Sequence, residues 1–266
     1  MYTGKNHTFV ICAYKENPYL EDTIQSLEKQ TVKSRIILST STPNDHIRRI
    51  CEKHQIEWFV NEHPHLPGDD WNYGYEQAKT ELVTIAHQDD IYEPDFLEVT
   101  LKAINKRKKD DVIVAFTDYY EFKLGKKETT NTLLKIKRIM NFPLGIPALQ
   151  GSRWVRRRTL SVGDAICCPA VTYVKKNAGS RVFDTTYKNS CDYKTFVDLA
   201  NKKGAFVYIK KKVMGHRIYA ESATTLNLSE NIRKKEDLEI MCEFWPRPIA
   251  NFINKIYAKS EESNQV

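Results

Sequence analysis

The sequence predicts an α/β fold, with a mostly parallel central sheet flanked by helices and a C-terminal helical extension. Three observations predict it. Short buried strands alternate with amphipathic helices through the first part of the chain. The apolar run from Leu82 to Ala86 stops on a polar segment with two adjacent carboxylates, Asp89 and Asp90. A chain of 266 residues can also bury one large core without disulfide bonds.

The predicted elements follow one another with short connections. Apolar runs of strand length predict strands at 8–13, 35–39, 57–60, 82–86 and 112–116. Apolar residues at helical spacing predict a helix after each of the first four, the last of them over 95–107. Thr42 is expected to cap the second helix, with Pro43 at its first position. Residues 131–164 break the alternation with prolines and an arginine cluster, which predicts an insertion or a mobile lid outside the core.

Charge and cysteine content limit which partners and which cellular compartment are expected for the protein. The net charge of +7 is clustered at 102–109, 153–158 and 210–212, which favours anionic partners, although a solvated basic face is the commoner outcome. Nucleic-acid binding ranks last, because no interleaved aromatic or recognition-helix motif accompanies the basic residues. The six cysteines lack metal or redox spacing and predict reduced thiols in a cytoplasmic protein. No apolar run approaches the roughly 20 residues of a transmembrane helix, so membrane insertion is not expected.

The adjacent carboxylates of Asp89 and Asp90 are the first candidate site. Like charges at one strand end repel each other, so a hard cation or solvent must neutralise them. Neutralisation by a cation predicts a metal at this site, together with a phosphate group of a substrate. The alternative is a solvated turn in which one of the two acids accepts backbone N–H bonds ahead of the next helix.

The chain resembles the nucleotide-sugar glycosyltransferases of family 2, of bacterial type, which have the Rossmann-like GT-A fold. Three segments carry the resemblance: the strand and loop at 10–17, the segment Trp71-Asn72-Tyr73-Gly74, and the motif His87-Gln88-Asp89-Asp90. It covers residues 7–120 and, more thinly, 165–225. It implies a GT-A domain at 1–225, with a nucleotide-sugar-binding part at 1–120 and an acceptor-binding part at 121–225, followed by a helical extension at 226–266.

The resemblance also implies a role for individual residues. Asp89 and His216 would hold Mn²⁺ or Mg²⁺, and Asp192 would be the general base that takes the acceptor's proton. Donor binding would fall to Ala13, Tyr14, Glu16, Ser39, Asn72, His87, Gln88, Asp90 and Arg217. Two positions depart from the family pattern. His87 replaces the first acid of the metal motif, and Ser39 with Thr40 replaces the acids that read uracil.

The expected activity is inverting transfer of a sugar from a nucleoside-diphosphate sugar, with UDP-sugars ranked first. The acceptor would be a hydroxyl of a glycan, glycolipid or glycoprotein in bacterial surface polysaccharide or glycoconjugate synthesis. A divalent cation would stabilise the diphosphate as it gains negative charge. Two alternatives stay open: a degenerate GT-A module that binds nucleotide sugar or a protein partner without catalysis, and a metal-dependent phosphohydrolase or nucleotidyltransferase that uses His87, Asp89, Asp90 and His216.

The last predicted element is an amphipathic helix within residues 244–260. Its apolar residues recur at helical spacing: Phe244, Trp245, Ile249, Phe252, Ile253, Ile256 and Tyr257. Such a stripe must be covered. It either packs on the catalytic domain or in a homodimer, or it lies on the inner face of the cell membrane.

Overall fold

The computed structural model describes residues 1–107, 111–123, 125–219 and 232–262. The strands are β1 His7–Ala13, β2 Arg35–Thr40, β3 Glu57–Val60, β4 Leu82–His87, β5 Ile91–Tyr92, β6 Val112–Lys123, β7 Lys126–Glu128, β8 Val171–Val174 and β9 Ala205–Ile218. The helices are α1 Leu20–Glu28, α2 Asp45–His54, α3 Pro67–Gln77, α4 Phe96–Lys106, α5 Thr132–Asn141, α6 Arg153–Leu160, α7 Lys175–Ala178, α8 Cys191–Asn201, α9 Ile232–Met241 and α10 Arg247–Glu262.

The described strands form one mixed sheet. Its order is β3-β2-β1-β4-β8-β6-β9-β5, with β7 paired to β6. Strands β1 to β4 are mutually parallel, and Cys12 pairs with Ser39 on one side and His87 on the other. Strand β8 runs antiparallel between β4 and β6, while β9 is parallel to β6. The carboxyl ends of β1, β2 and β4 therefore meet at one edge of the sheet.

Alternation along the strands divides the buried residues between the two faces of the sheet. Phe9 and Ile11 of β1 pack with α1, α2 and α4 on one face. Val10, one residue away, faces the second core, which contains Tyr75 of α3 and Phe196 of α8. The sheet is thus covered on both faces by helices, as the alternating sequence pattern predicts.

The start of α2 differs from the prediction. Asn44 caps this helix, because its side-chain oxygen accepts a hydrogen bond from the N–H of Ile47 at 2.9 Å, and Pro43 lies before the first helical residue. The Thr42 hydroxyl is used elsewhere and accepts from the backbone N–H of Lys15 at 2.5 Å. Lys15 has a positive φ of 57°, so this bond holds an unusual turn just after β1.

The prediction of a lid or insertion at residues 131–164 is wrong. Helices α5 and α6 pack on the sheet, and Leu144 and Leu160 are fully buried in the same core as α8. Arg156 is also buried, and its guanidinium donates to the carbonyls of Gly151 at 2.9 Å and Lys202 at 2.7 Å. The arginine cluster is therefore in part an internal crosslink between α6 and the segment after α8.

The C-terminal helices pack on the same core. Ile240, Met241, Ala250 and Tyr257 join the cluster formed by α3, α6 and α8. The predicted boundary between residues 225 and 226 lies outside the described residues. Within the described part of the chain, no helix combines the length and the apolar run needed to cross a membrane.

Candidate active site

The loops after β1 and β4 are tied together by one side-chain amide. Gln88 accepts a hydrogen bond from the N–H of Tyr14 and donates one to its carbonyl oxygen, both at 3.0 Å. This pair continues the β1–β4 ladder one step beyond Cys12 and His87. Among the predicted donor-binding residues, Ala13 is buried at this strand end, whereas Tyr14 and Glu16 are exposed beside it.

Asp90 lies at the centre of the acidic motif. Its side chain is fully buried, and Oδ1 accepts from the backbone N–H of Arg217 at 3.0 Å and contacts Nδ1 of His216 at 3.1 Å. Strand β9 thereby brings two predicted site residues against the end of β4. His87 lies 3.9 Å away, measured from its Nδ1 to Oδ2 of Asp90, and its ring stacks on Trp71.

The two carboxylates differ in their electrostatics. Burial, together with the neighbouring charge of Asp90, raises the pKa of Asp89. Burial also opposes ionisation of Asp90, but His216, His87 and the Arg217 N–H outweigh it and hold the pKa of Asp90 below its usual value. Burial alone would lower the pKa of His216, yet the charge of Asp90 raises it. Asp90 and His216 therefore each favour the charged form of the other beside Asp89.

Tyr219 is a site residue that the sequence reasoning missed. Its hydroxyl donates to Oδ2 of Asp89 at 2.8 Å and accepts from the Asn17 side chain at 2.9 Å. The ring also packs edge-on against Tyr19 at the start of α1. The only signal in the sequence was its place two residues after the His-Arg pair.

Arg217 holds the loop that carries Asp89. Its Nε donates to the Asp89 carbonyl oxygen at 2.8 Å, and Nη2 lies 3.2 Å from Oδ2 of Asp22. The guanidinium is mostly buried and lies over the ring of Tyr19. These contacts give Arg217 a positioning role, and direct contact with a donor diphosphate stays a prediction.

Asn72 and Ser39 lie behind the surface of the site. The Asn72 amide is fully buried, donates to the carbonyl of Phe183 at 2.8 Å, and accepts from the N–H groups of Val182 and Phe183 at 2.9 Å. It therefore anchors a loop of the second half of the chain. Ser39 is buried beneath Gly74, where an added Cβ would lie 2.5 Å from its hydroxyl. Contact of Asn72 or Ser39 with the donor stays a prediction, and the buried positions of the two side chains do not favour it.

A cavity of about 110 Å³ joins the acidic motif to the predicted base. It brings His87 and His216 together with Asp192, which is more than a hundred residues from His87 in the sequence. The remaining lining residues come from β6, α5, α9 and the segment before β8: Tyr119, Glu121, Leu133, Lys137, Asp164, Ile166, Cys167, Cys168, Pro169 and Arg233. The cavity is lined about equally by polar and apolar atoms and is large enough for several waters.

Asp192 is placed by the start of α8. It is the second residue of that helix, and its Oδ1 accepts from the N–H of Tyr193 at 2.9 Å, while Ser190 occupies the cap position. Helix α9 fixes the preceding loop. The carboxylate of Glu236 accepts from the N–H groups of Lys188, Asn189 and Ser190 at 2.8 to 2.9 Å. The C-terminal extension therefore supports the predicted base directly.

Asp164 adds a second carboxylate near Asp192. Burial and the charge of Asp192 raise the pKa of Asp164 to about 7, although Lys137 and Arg233 oppose the shift. Sequence reasoning missed this residue, because it is the last residue of the segment 131–164 that was predicted to be an insertion or a lid outside the core. With this pKa, Asp164 exchanges a proton near neutral pH beside the predicted base.

The site can accommodate a divalent cation with help from a substrate. Oδ2 of Asp90 and Nε2 of His87 are buried without a hydrogen-bond partner in the described structure, which is rare unless a ligand completes the site. No group of three or more His, Cys, Asp or Glu residues that could hold a metal is found among the described residues. One carboxylate, a histidine nitrogen, and phosphate and water oxygens together would be a normal shell for Mg²⁺ or Mn²⁺.

The fold agrees with comparisons to known proteins. The family model of glycosyl transferase family 2 matches residues 8–162. A comparison with curated protein sequences gave no significant match.

Solved structures give the same fold. Residues 1–349 of TarS from S. aureus match with a TM-score of 0.60 at 14% identity, covering 97% of this chain and 72% of that one. The same fragment was solved with UDP-GlcNAc. The mannosyltransferase PcManGT from Pyrobaculum calidifontis, in complex with GDP-Man and Mn²⁺, matches with a TM-score of 0.66 at 12% identity, covering 99% and 74%. The family model covers more than half of the chain, and on this ground the protein belongs to glycosyl transferase family 2 and is a glycosyltransferase with the GT-A fold.

Proposed function

We propose that this protein transfers a sugar from a nucleoside-diphosphate sugar to an acceptor hydroxyl with inversion at the anomeric carbon. One observation carries the proposal. The cavity places Asp192 in the same space as His87 and His216, which adjoin the acidic motif. A base and a diphosphate-binding motif on one cavity are what a single displacement step needs.

Each group would have a separate task. Asp192 would accept the proton of the attacking hydroxyl, and the hydrogen bond from the Tyr193 N–H to Oδ1 holds its carboxylate in place. Asp89 and His216 would hold Mn²⁺ or Mg²⁺ against the diphosphate, and such an ion stabilises the negative charge of the leaving group. Nδ1 of His216 contacts Asp90, which leaves Nε2 as the nitrogen for this task.

We infer that the donor base is uracil and that Asp70 reads it. The Ser41 hydroxyl donates to Oδ2 of Asp70 at 2.6 Å, and the Asn61 amide donates to Oδ1 at 2.8 Å. Helix α3 thus supplies a carboxylate beside the end of β2, where Ser39 and Thr40 stand in place of the family's acids. A carboxylate can accept the imide N–H of uracil.

The base assignment is tested by a thermal-shift panel of nucleoside diphosphates with Mn²⁺. UDP should stabilise the protein most, because a ligand at 100 times its Kd adds about 2.7 kcal/mol. Asp70→Asn should reduce the UDP shift, whereas Asp69→Asn, one residue earlier on the same helix, should retain it. A larger shift with GDP, or equal shifts in both variants, would contradict the assignment.

The transfer itself is tested by measuring nucleoside diphosphate released from a panel of donor sugars, with and without glycan, glycolipid and glycoprotein acceptors. We expect slow release of nucleoside diphosphate without an acceptor and faster release with one class of acceptor. Chelation of the divalent cation should abolish release in both cases. Full-rate release without acceptor would indicate a phosphohydrolase. Formation of pyrophosphate would indicate a nucleotidyltransferase, and nucleotide binding without turnover would indicate a non-catalytic module.

The cellular setting is part of the same proposal. We propose a cytoplasmic enzyme of bacterial surface polysaccharide or glycoconjugate synthesis, with residues 1–225 as the catalytic domain and 226–266 as its helical extension. All six cysteines are free, and five of them are not exposed, which fits a reducing compartment. Fractionation of cells that produce the native protein tests this localisation.

A further inference from the structure

The outer face of α10 carries three exposed apolar side chains. Ile249, Phe252 and Ile256 are exposed by 46%, 66% and 58%, and their spacing of three and four residues places them on one side of the helix. The opposite side is already used. Ala250 and Tyr257 are buried, and the Tyr257 hydroxyl donates to the Asp164 carbonyl at 3.0 Å. Only part of the apolar stripe predicted from the sequence is therefore covered by the core.

Charged residues of the same helix are all positive from Arg247 to Lys259, and its acids, Glu261 and Glu262, are its last two residues. Arg247, Lys255 and Lys259 are exposed, and none of them has a hydrogen bond or ion pair with the described residues. No aspartate or glutamate occurs between residues 247 and 259. Lysines flank the apolar side chains within the same three turns, so residues 247–259 combine an apolar stripe with cations and no acid.

From these two observations we propose that the outer face of α10 binds an anionic membrane surface. Ile249, Phe252 and Ile256 would enter the boundary between headgroups and acyl chains, and the basic residues would lie among lipid phosphates. A second copy of the chain fits less well. Self-association through residues 247–259 would bring cations together with no carboxylate in that segment, and three side chains expose far less than the roughly 800 Å² per partner of a stable interface. The proposal does not depend on the donor or on catalysis.

Vesicle co-sedimentation of the full-length protein tests this proposal. The wild-type protein should bind vesicles that contain phosphatidylglycerol and should bind neutral phosphatidylcholine vesicles more weakly, and high salt should reduce the difference. The triple variant Ile249→Ser, Phe252→Ser, Ile256→Ser should bind at least about tenfold more weakly. Lys255→Gln with Lys259→Gln should lose the preference for anionic vesicles, also by about tenfold.

The controls distinguish binding through this surface from nonspecific adsorption to vesicles. Trp154→Ser removes an exposed apolar side chain from α6 and should bind like the wild type. All substituted side chains are exposed, so urea unfolding should confirm that each variant is folded. Wild-type protein that stays in the supernatant with anionic vesicles, or a triple variant that sediments equally, would overturn the proposal. A concentration-dependent dimer that the triple variant abolishes would assign the face to a second copy instead.

Discussion

At the scale of single residues, the two carboxylates near the cavity have different environments. Asp192 lies at a helix start with one backbone hydrogen bond, whereas Asp164 is buried among charged groups. A general base must be available to the substrate, and a buried neighbour can tune it without contacting the substrate. This difference leads to separate predictions for the two residues.

Asp192→Asn should abolish transfer while leaving nucleotide binding intact, because an amide cannot accept the proton of the acceptor hydroxyl. The expected loss in turnover is about 10² to 10⁴-fold. Steady-state kinetics and a separate UDP titration check it. Asp198→Asn, an exposed acid on the same helix, should keep normal turnover. If UDP affinity and turnover fell together in Asp192→Asn, the residue would be a donor ligand or a structural residue.

Asp164 should make stability depend on pH. Its folded-state pKa of about 7 exceeds the unfolded value of 3.8, so the folded protein holds this proton more tightly between those values. Its contribution to stability therefore decreases as pH rises toward about 7 and is constant above that. Urea unfolding should show that the wild type loses free energy of unfolding, relative to Asp164→Asn, when the pH is raised from about 5 to about 8. An unchanged difference between the two proteins would contradict the raised pKa.

At the scale of elements, helix α9 holds the loop that leads to the predicted base. Glu236 of α9 accepts three consecutive backbone N–H bonds from the loop that leads into α8 and Asp192. A carboxylate suits this position because both of its oxygens accept hydrogen bonds. The extension is thus a support for the base as well as a cover for the core.

Glu236→Gln should lower turnover more than UDP affinity, because the amide places an N–H group against backbone donors and displaces the loop before Asp192. Losing charge-assisted bonds at this loop should also cost about 1.5 to 3 kcal/mol of stability. Kinetics and urea unfolding measure the two effects. The matched control is Glu239→Gln, an exposed acid on the same helix. Wild-type turnover in Glu236→Gln would show that α9 does not position the base.

The elements also show what the sequence could and could not predict. The strands β1 to β4 were predicted to within one residue at each end, and a helix was predicted after each of them, because each has a clear apolar pattern of its own. The cluster around Arg156 was interpreted as an anion-binding or solvated surface, yet this side chain is buried against carbonyl groups more than forty residues away. Local patterns cannot distinguish a solvated arginine from one whose partners come from a distant segment.

At the scale of the whole molecule, the site joins two parts of the sheet. Strands β1 to β4 supply the acidic motif, and β9 returns beside it so that His216 and Arg217 meet Asp90. The antiparallel insertion of β8 between β4 and β6 creates this arrangement, and no local pattern predicts it. The resemblance to family 2 predicts Asp89, His216 and Asp192 as site residues, and their roles stay predictions. It did not point to Tyr219, Asp164 or Glu236.

The central claim is that the acidic motif binds a nucleoside diphosphate together with a divalent cation. Isothermal titration of UDP into the wild-type protein and into Asp89→Asn, each with and without Mn²⁺, tests it most directly. We predict that Mn²⁺ strengthens UDP binding to the wild type by at least about tenfold, and that Asp89→Asn removes this gain while its fold is retained. Metal-independent binding of equal affinity in both proteins would contradict the account.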